Sequence, residues 1–452
     1  MPFDAALLAR LQFALTISFH ILFPTLTIGL ALFLVILEAL WLRTGQAVYL
    51  TLYRFWVKIF ALSFGMGVVS GVVLSYEFGT NFARFSEVTG NILGPLLGYE
   101  VLTAFFLEAS FLGVMLFGMQ RVPPRLHFAA TCIVSIGTMI SAFWILAASS
   151  WMHTPAGYRL VDGIFHVESW PAVIFNPSFF YRFPHMLMAS FLTTSLVVAG
   201  VSAWHLQRIQ SAALARPAFA IATLALAILA PLQIVMGDLH GLQVQRHQPM
   251  KIAAMEGLWE TTAGAPLLVF AWPDMAAERN HFEIAIPKLA SLILQHDPEG
   301  TVLGLKEVAP ADRPLVPLVF FSFRIMVGLG FWFLFLGGLG LLLRWRGTLY
   351  SNRPYALLCM ASAPLGFVAT LAGWIVTETG RQPWIVQGLM RTSEAVSAVP
   401  ARAILTTLSL FVAVYGTLLL AYLYYLSKLI RQGPDAAATQ PDHDEPTRTA
   451  WM

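Results

Sequence analysis

The stretch "LTISFHILFP", residues 15–24, decides the fold. It lies inside an apolar run from Leu11 to Trp41, longer than the ~20 residues that cross ~30 Å of hydrocarbon. Within it stands His20. An imidazole in apolar surroundings costs roughly 2–7 kcal/mol unless it finds a partner. The run is too long for a cleaved signal peptide, its flank carries Asp4 as well as Arg10, and no small-residue cleavage site follows. It therefore reads as a membrane span.

Similar runs recur near 12–41, 53–78, 92–119, 127–149, 183–205, 217–238, 318–343, 355–377 and 402–428. Only 11% of the 452 residues are charged, against about 25% in a soluble domain. The fold class expected is an all-α polytopic membrane protein with about nine transmembrane helices. Residues 1–238 form a six-helix region carrying His20 and His185, and 239–317 an external loop. Residues 318–430 form a three-helix region carrying Met326 and Glu378, and 431–452 a disordered cytoplasmic tail. Lys and Arg bias the loops toward an external N-terminus and a cytoplasmic C-terminus: Arg43, Arg54, Lys58, Arg121, Arg125, Arg344 and Arg346 fall on one side. The net charge of +3 is small and scattered, so no nucleic acid is expected as a partner. Cys132 and Cys359 sit singly in apolar segments, which excludes C-x-x-C zinc, Fe–S and c-type haem sites and leaves packing as their ordinary role.

Several polar groups do not belong in lipid. Under this topology His20, His185 in "FPHMLMAS", Met326 in "FRIMVGLG" and Glu378 in "GWIVTETGRQPW" all fall in the outer half of the membrane, on four helices. Each type binds iron, and His/Met is a recognised axial pair of an electron-transfer haem. Each also has an ordinary use, in packing for the histidines and methionine and as a solvated helix end for Glu378. In the third span Glu100 and Glu108 are eight residues apart, ~80° beyond two turns and ~12 Å in depth. Buried carboxylates there suit a proton relay. Lys251 and Glu256, with Trp259 near them, form a cation–carboxylate pair in the loop. They suit a quinol head group, Glu256 accepting a hydroxyl proton and Lys251 polarising the other oxygen; an ordinary solvated pair is the alternative. A proton-coupled secondary transporter would explain Glu100 and Glu108, but not the iron-binding types at one depth. The glycines of "GMGVVSGVVLS", Gly65, Gly67 and Gly71, are a candidate helix contact, either with a second subunit or within the chain.

The strings "ARLQFALTISFH", "YEFGTNF", "QPMKIAAMEGLWET", "FRIMVG" and "GRQPW" occur in this order. Together they closely resemble subunit I of cytochrome bd-type quinol oxidases, from about Arg10 to the ninth span. The short loop before Arg324 places the chain in the short quinol-loop branch, and "SSWMHTPAGY" resembles the cyanide-insensitive subtype. The resemblance implies a low-spin haem b on His185 and Met326. It implies a high-spin haem b and a haem d (or a third haem b) on His20 and Glu378, in an assignment left open. Arg324 and Arg381 match arginines suited to haem propionates, and Trp374 a tryptophan among the haems. Glu100 and Glu108 match proton-delivery carboxylates, and Lys251 and Glu256 quinol-loop residues. The implied partners are subunit II, a small single-helix accessory subunit, membrane quinol and O2, in the bacterial cytoplasmic (inner) membrane. The implied reaction oxidises quinol outside and reduces O2 to water with protons from inside, generating a proton motive force without pumping.

Overall fold

A computed structural model describes residues 4–208 and 212–434. The tail expected to be disordered lies almost wholly outside the described residues. The chain opens with α1 (Ala5–Thr44), α2 (Ala47–Thr80) and α3 (Ala83–Glu100), which runs through a π turn at Val101–Phe105 into α4 (Phe106–Phe117). Next come α5 (Pro124–His153), the hairpin β1 (Tyr158–Val161) and β2 (Ile164–Val167), α6 (Trp170–Ile174), α7 (Phe179–Leu206) and α8 (Ala212–His247). The segment that follows holds α9 (Pro249–Glu256), β3 (Thr262–Ala263), β4 (Leu267–Asp274), β5 (Arg279–Ile286), α10 (Leu289–Gln295) and β6 (Thr301–Val302). The chain then re-enters the bundle as α11 (Val316–Trp345), α12 (Arg353–Ser362) and α13 (Leu365–Thr379). A short β7 (Trp384–Val386), β8 (Met390–Arg391) and α14 (Thr392–Ala395) lead to α15 (Ala401–Gln432). Among the described residues nine helices, with α3–α4 and α12–α13 each counted once, are long and apolar enough to cross a membrane.

Local chemistry sets the ends. Asp4 accepts the Ala6 N–H at 3.1 Å as N-cap of α1, and Gly45, at φ 68°, closes the helix with its N–H on the Trp41 carbonyl. α1 is the central column, packed by α2, α5, α7 and α15. Leu30, Leu34 and Leu37 interlock with Trp56 and Phe60 of α2 and Leu196 of α7. α1 and α7 approach closely because Gly29 faces Thr194, whose hydroxyl donates to the Leu26 carbonyl at 2.9 Å. Small residues permit such contacts where no water drives the helices together. The outer helices keep their apolar surfaces open, as at Leu410 and Leu420 on α15.

Two features go beyond the sequence reading. Of the two alternatives for the glycines, Gly67 and Gly71 take the contact within the chain: a Cβ on Gly67 would stand 3.4 Å from Phe23, and one on Gly71 3.2 Å from the His20 ring, while Gly65 opens to free space. They serve the α1–α2 contact. The second is the π turn. A residue inserted in this way sets a helix back by about 100°, so Glu100 and Glu108 fall about 20° apart instead of about 80°. Both consequently face α5.

Candidate functional site

Three of the four candidate iron ligands are seated in the same way, each against a glycine of a neighbouring helix. His20 of α1 lies on Gly71 of α2. His185 of α7 lies on Gly237 of α8, where a Cβ would come within 3.4 Å of the ring. Met326 of α11 lies on Gly373 of α13, where a Cβ would come within 2.8 Å of the sulfur. Glycine leaves room for a ring or thioether that ordinary helix packing would crowd. His20 Nδ1 bonds the Ser70 hydroxyl at 2.9 Å, which fixes the ring and leaves Nε2 for another partner. His185 Nδ1 is buried and meets no hydrogen-bond partner at ordinary geometry. A second imidazole that the sequence reading passed over, His240 of α8, packs edge-on against His185 with ring centroids 5.4 Å apart. It stands one turn from Gly237, on the same face of α8.

Glu378 ends α13 in a dense charge cluster. One oxygen meets His153 Nε2 at 3.3 Å and Arg182 Nη2 at 3.8 Å, and the other pairs with Arg381. A carboxylate offers about four acceptor sites, so capacity for a further ligand remains. Lys251 Nζ donates to Gln248 Oε1 at 2.7 Å and to His153 Nδ1 at 3.1 Å. With Lys251 protonated, His153 Nδ1 accepts and the ring proton sits on Nε2, facing Glu378. Lys251 of the loop and Glu378 of the bundle are thereby joined through one histidine. Burial, then the neighbouring Arg182 and Arg381, push the Lys251 ammonium well below the usual lysine range. His153, Arg182 and Gln248 were missed as site residues because each is unremarkable alone; His153 and Gln248 stood in quoted strings, Arg182 in none.

Glu256 turns elsewhere. Five residues along a helix rotate it about 140° from Lys251. Glu256 pairs with Arg324 Nη2 at 2.9 Å, and Arg324 Nε donates to the Leu268 carbonyl at 2.6 Å. Burial raises the Glu256 carboxyl above the usual range, with Arg324 opposing. Arg324, expected beside a propionate, thus has its charge matched within the chain. Arg381 donates to the Ile385 carbonyl as well as pairing with Glu378, and its Nε is buried without a partner. Trp374 stands one turn before Glu378 on the same helix face.

On the α5 side, Ser141 donates to Glu100 at 2.7 Å. Glu108 packs on Gly137, one turn along α5, and its Oε1 is buried without a partner. The polar stripe continues down α5 through Thr138, Ser135, Thr131 and His127, at helical spacing. At its far end lies a second group the sequence reading missed. Glu38 takes His127 Nδ1 at 2.6 Å on one oxygen and the Thr131 hydroxyl at 2.6 Å on the other. His127 Nε2 donates to the Met115 carbonyl at 3.2 Å. Both Glu38 and His127 are fully buried. Glu38→Ala leaves the buried His127 Nδ1 without its partner, while the Thr131 hydroxyl keeps the His127 carbonyl at 3.3 Å and the Tyr53 hydroxyl at 3.1 Å; a loss of about 1–3 kcal/mol is expected. Thermal unfolding of the purified protein checks it; a melting temperature equal to that of the parent would show the pair to be dispensable.

Among the described residues no cluster of three His, Cys, Asp or Glu side chains is arranged for a bare metal ion. The donors instead come singly from separate helices, which fits iron carried in a ring that supplies its other ligands.

The family model for cytochrome bd terminal oxidase subunit I matches residues 8–434. The chain belongs to this family. Membership removes the transporter alternative and makes the chain a multi-pass protein of the bacterial inner membrane, of a family that carries haem and works in multi-subunit complexes. Among its relatives is the cytochrome bd-II ubiquinol oxidase subunit 1 of Escherichia coli (strain K12). That protein is 34% identical, over 97% of this chain and 98% of its own length. The cytochrome bd ubiquinol oxidase subunit 1 of Bacillus subtilis (strain 168) is 35% identical over 98% of this chain and 96% of its own. The solved bd oxidase from Geobacillus thermodenitrificans superposes with a TM-score of 0.88 at 28% identity, covering 96% of this chain and all of that one.

Proposed function

We propose that this subunit oxidises membrane quinol at the external face and reduces O2 to water with protons drawn from the cytoplasm. Its N-terminus is external and its C-terminus cytoplasmic. The observation that carries the reading is the common seating of His20, His185 and Met326 on facing glycines, with the Glu378 cluster at the outer end of α13. His185 and Met326 hold a low-spin haem b. His20 and Glu378 hold a high-spin haem b and a haem d or third haem b. The haems supply electron transfer and oxygen chemistry; the protein supplies ligation, burial and proton control.

Residues 239–317 form the quinol-binding loop between the bundle regions 1–238 and 318–430. The buried Glu256 takes a proton from the bound quinol, with Arg324 holding its carboxylate in place. Lys251 and His153 hold the inner edge of the site against Glu378. Two quinols supply four electrons per O2. Four protons leave them outside, and four are taken up inside along the α5 stripe to Glu108 and Glu100. The opposed release and uptake generate a proton motive force without a pump. Arg381 and Trp374 border the haems. Subunit II covers part of the open bundle surface, with room for a small single-helix accessory subunit.

A pyridine haemochrome assay with oxygen consumption on a reduced quinol tests the reading. A colourless, folded complex would sink it. Glu256→Gln should lower quinol oxidation on the order of 100-fold, the lower bound for loss of a general base, with all haem bands intact. Loss of the bands would make Glu256 a structural residue.

A further inference from the structure

The β4–β5 hairpin has two unlike sides. Its register sets Leu268 opposite Ala285, Phe270 opposite Ile284 and Trp272 opposite His281. Leu268 and Ala271 are buried against Phe320 of α11. Phe270, Trp272 and Ile284 are open, and Phe282 is 82% exposed. Phe282 also holds φ 54°, a left-handed conformation that is uncommon for a bulky side chain.

This open side continues onto the exposed apolar surface of α11. Phe321 of α11 packs against Phe270 and Trp272, with ring centroids 6.1 and 5.6 Å apart. Phe321 lies five residues into α11, about 7.5 Å along its axis. Leu318 and Ile325 on the same helix are also exposed. A 30-residue helix exceeds the hydrocarbon thickness, so its first turns lie at headgroup level. Trp settles at that level, and Trp, Phe and Leu form the apolar faces of segments that lie in the interface. The hairpin tip stays polar: Asp274 accepts the Ala276 and Ala277 N–H groups at 2.9 Å, and Glu278 pairs with Arg313 at 2.6 Å. A two-stranded hairpin with unpaired edges cannot enter hydrocarbon, but it can lie at the interface.

The other side is tied to the loop chemistry. Arg324, which pairs with Glu256, donates to Leu268 of β4. Asn280 of β5 donates to the carbonyl of Gly257, next to Glu256, at 2.9 Å and accepts from Trp259 Nε1 at 2.9 Å.

We infer that the β4–β5 hairpin is an interfacial membrane anchor, its Phe270–Trp272–Ile284–Phe282 side resting among lipid headgroups and upper acyl chains. It holds the Glu256–Arg324 pair at the depth where a lipid-dissolved quinol presents its head. The second statement rests on the quinol-loop reading above; the first does not.

The test labels Phe282→Cys with a nitroxide in the assembled oxidase, in liposomes, on a Cys132→Ser, Cys359→Ser background. Collisions with O2, which concentrates in lipid, are compared with those of a water-soluble nickel chelate. The expected result is several-fold preference for O2 at position 282 and for nickel at Glu299→Cys, a solvated control site. Preference for nickel at 282 would place the hairpin in water. Protection from both reagents would mean that a protein subunit covers it. Either result overturns the anchor. Phe282→Asn, which suits a left-handed backbone, tests the second statement. A five- to tenfold rise in KM for membrane quinol is expected, with kcat and the haem spectrum unchanged. An unchanged KM beside a lipid-facing label would overturn the quinol statement and leave the anchor standing.

Discussion

Met326→Leu is expected to convert the low-spin haem to a high-spin one and to lower quinol-driven oxygen consumption by at least about 100-fold. Even outer-shell changes at metal sites cost 10–100-fold, and under the proposed assignment this change would remove a ligand of the haem iron. Leucine and methionine differ little in volume, so the fold should survive the exchange. The sulfur already lies against Gly373, in a contact that a Cβ would close to 2.8 Å. Leucine keeps the apolar filling of that contact and loses only the lone pair. Reduced-minus-oxidised spectra read the outcome directly. If the sharp low-spin bands stay as they are, Met326 is not a ligand, and the His185–Met326 assignment falls with it.

Glu108→Gln is expected to lower turnover on the order of 100-fold, the lower bound for loss of a positioned proton-transfer group. All haem bands should remain. The exchange is nearly isosteric beside Gly137, where the side chain already packs tightly. Glutamine therefore fills the same space and cannot carry a proton. Glu108 Oε1 is buried with no partner, as is Ser135 Oγ two α5 residues before Gly137. A carboxyl with a free buried oxygen can rotate and re-protonate without first breaking a bond. The check is oxygen consumption with a reduced quinol, together with time-resolved proton uptake. Normal uptake in the variant would remove Glu108 from the delivery path.

Much of the candidate site was legible residue by residue. His20, His185, Met326, Glu378, Glu100 and Glu108 stand out because lipid tolerates such groups only for a reason. Pairings were not legible. Glu256 and Lys251 are close in sequence, yet they turn to different neighbours. Glu38 and His127 are 89 residues apart, and neither sits in a telling string. His153 acts by joining two groups from different parts of the chain, and nothing local announces that.

The amino-acid sequence by itself determined the class of fold, because a long apolar run has one stable solution in a bilayer: a helix that satisfies its own backbone. It also determined which awkward side chains the membrane would have to accommodate. Only the tertiary structure decided where they point. The π turn after Glu100 brings two carboxylates onto one face of a neighbouring helix. Three glycines open room beside three of the candidate iron ligands, and the loop folds back so that Lys251 reaches Glu378 through His153. Helix phase and interhelical approach are set by contacts between residues far apart in the chain, and periodicity along a single segment carries no record of them.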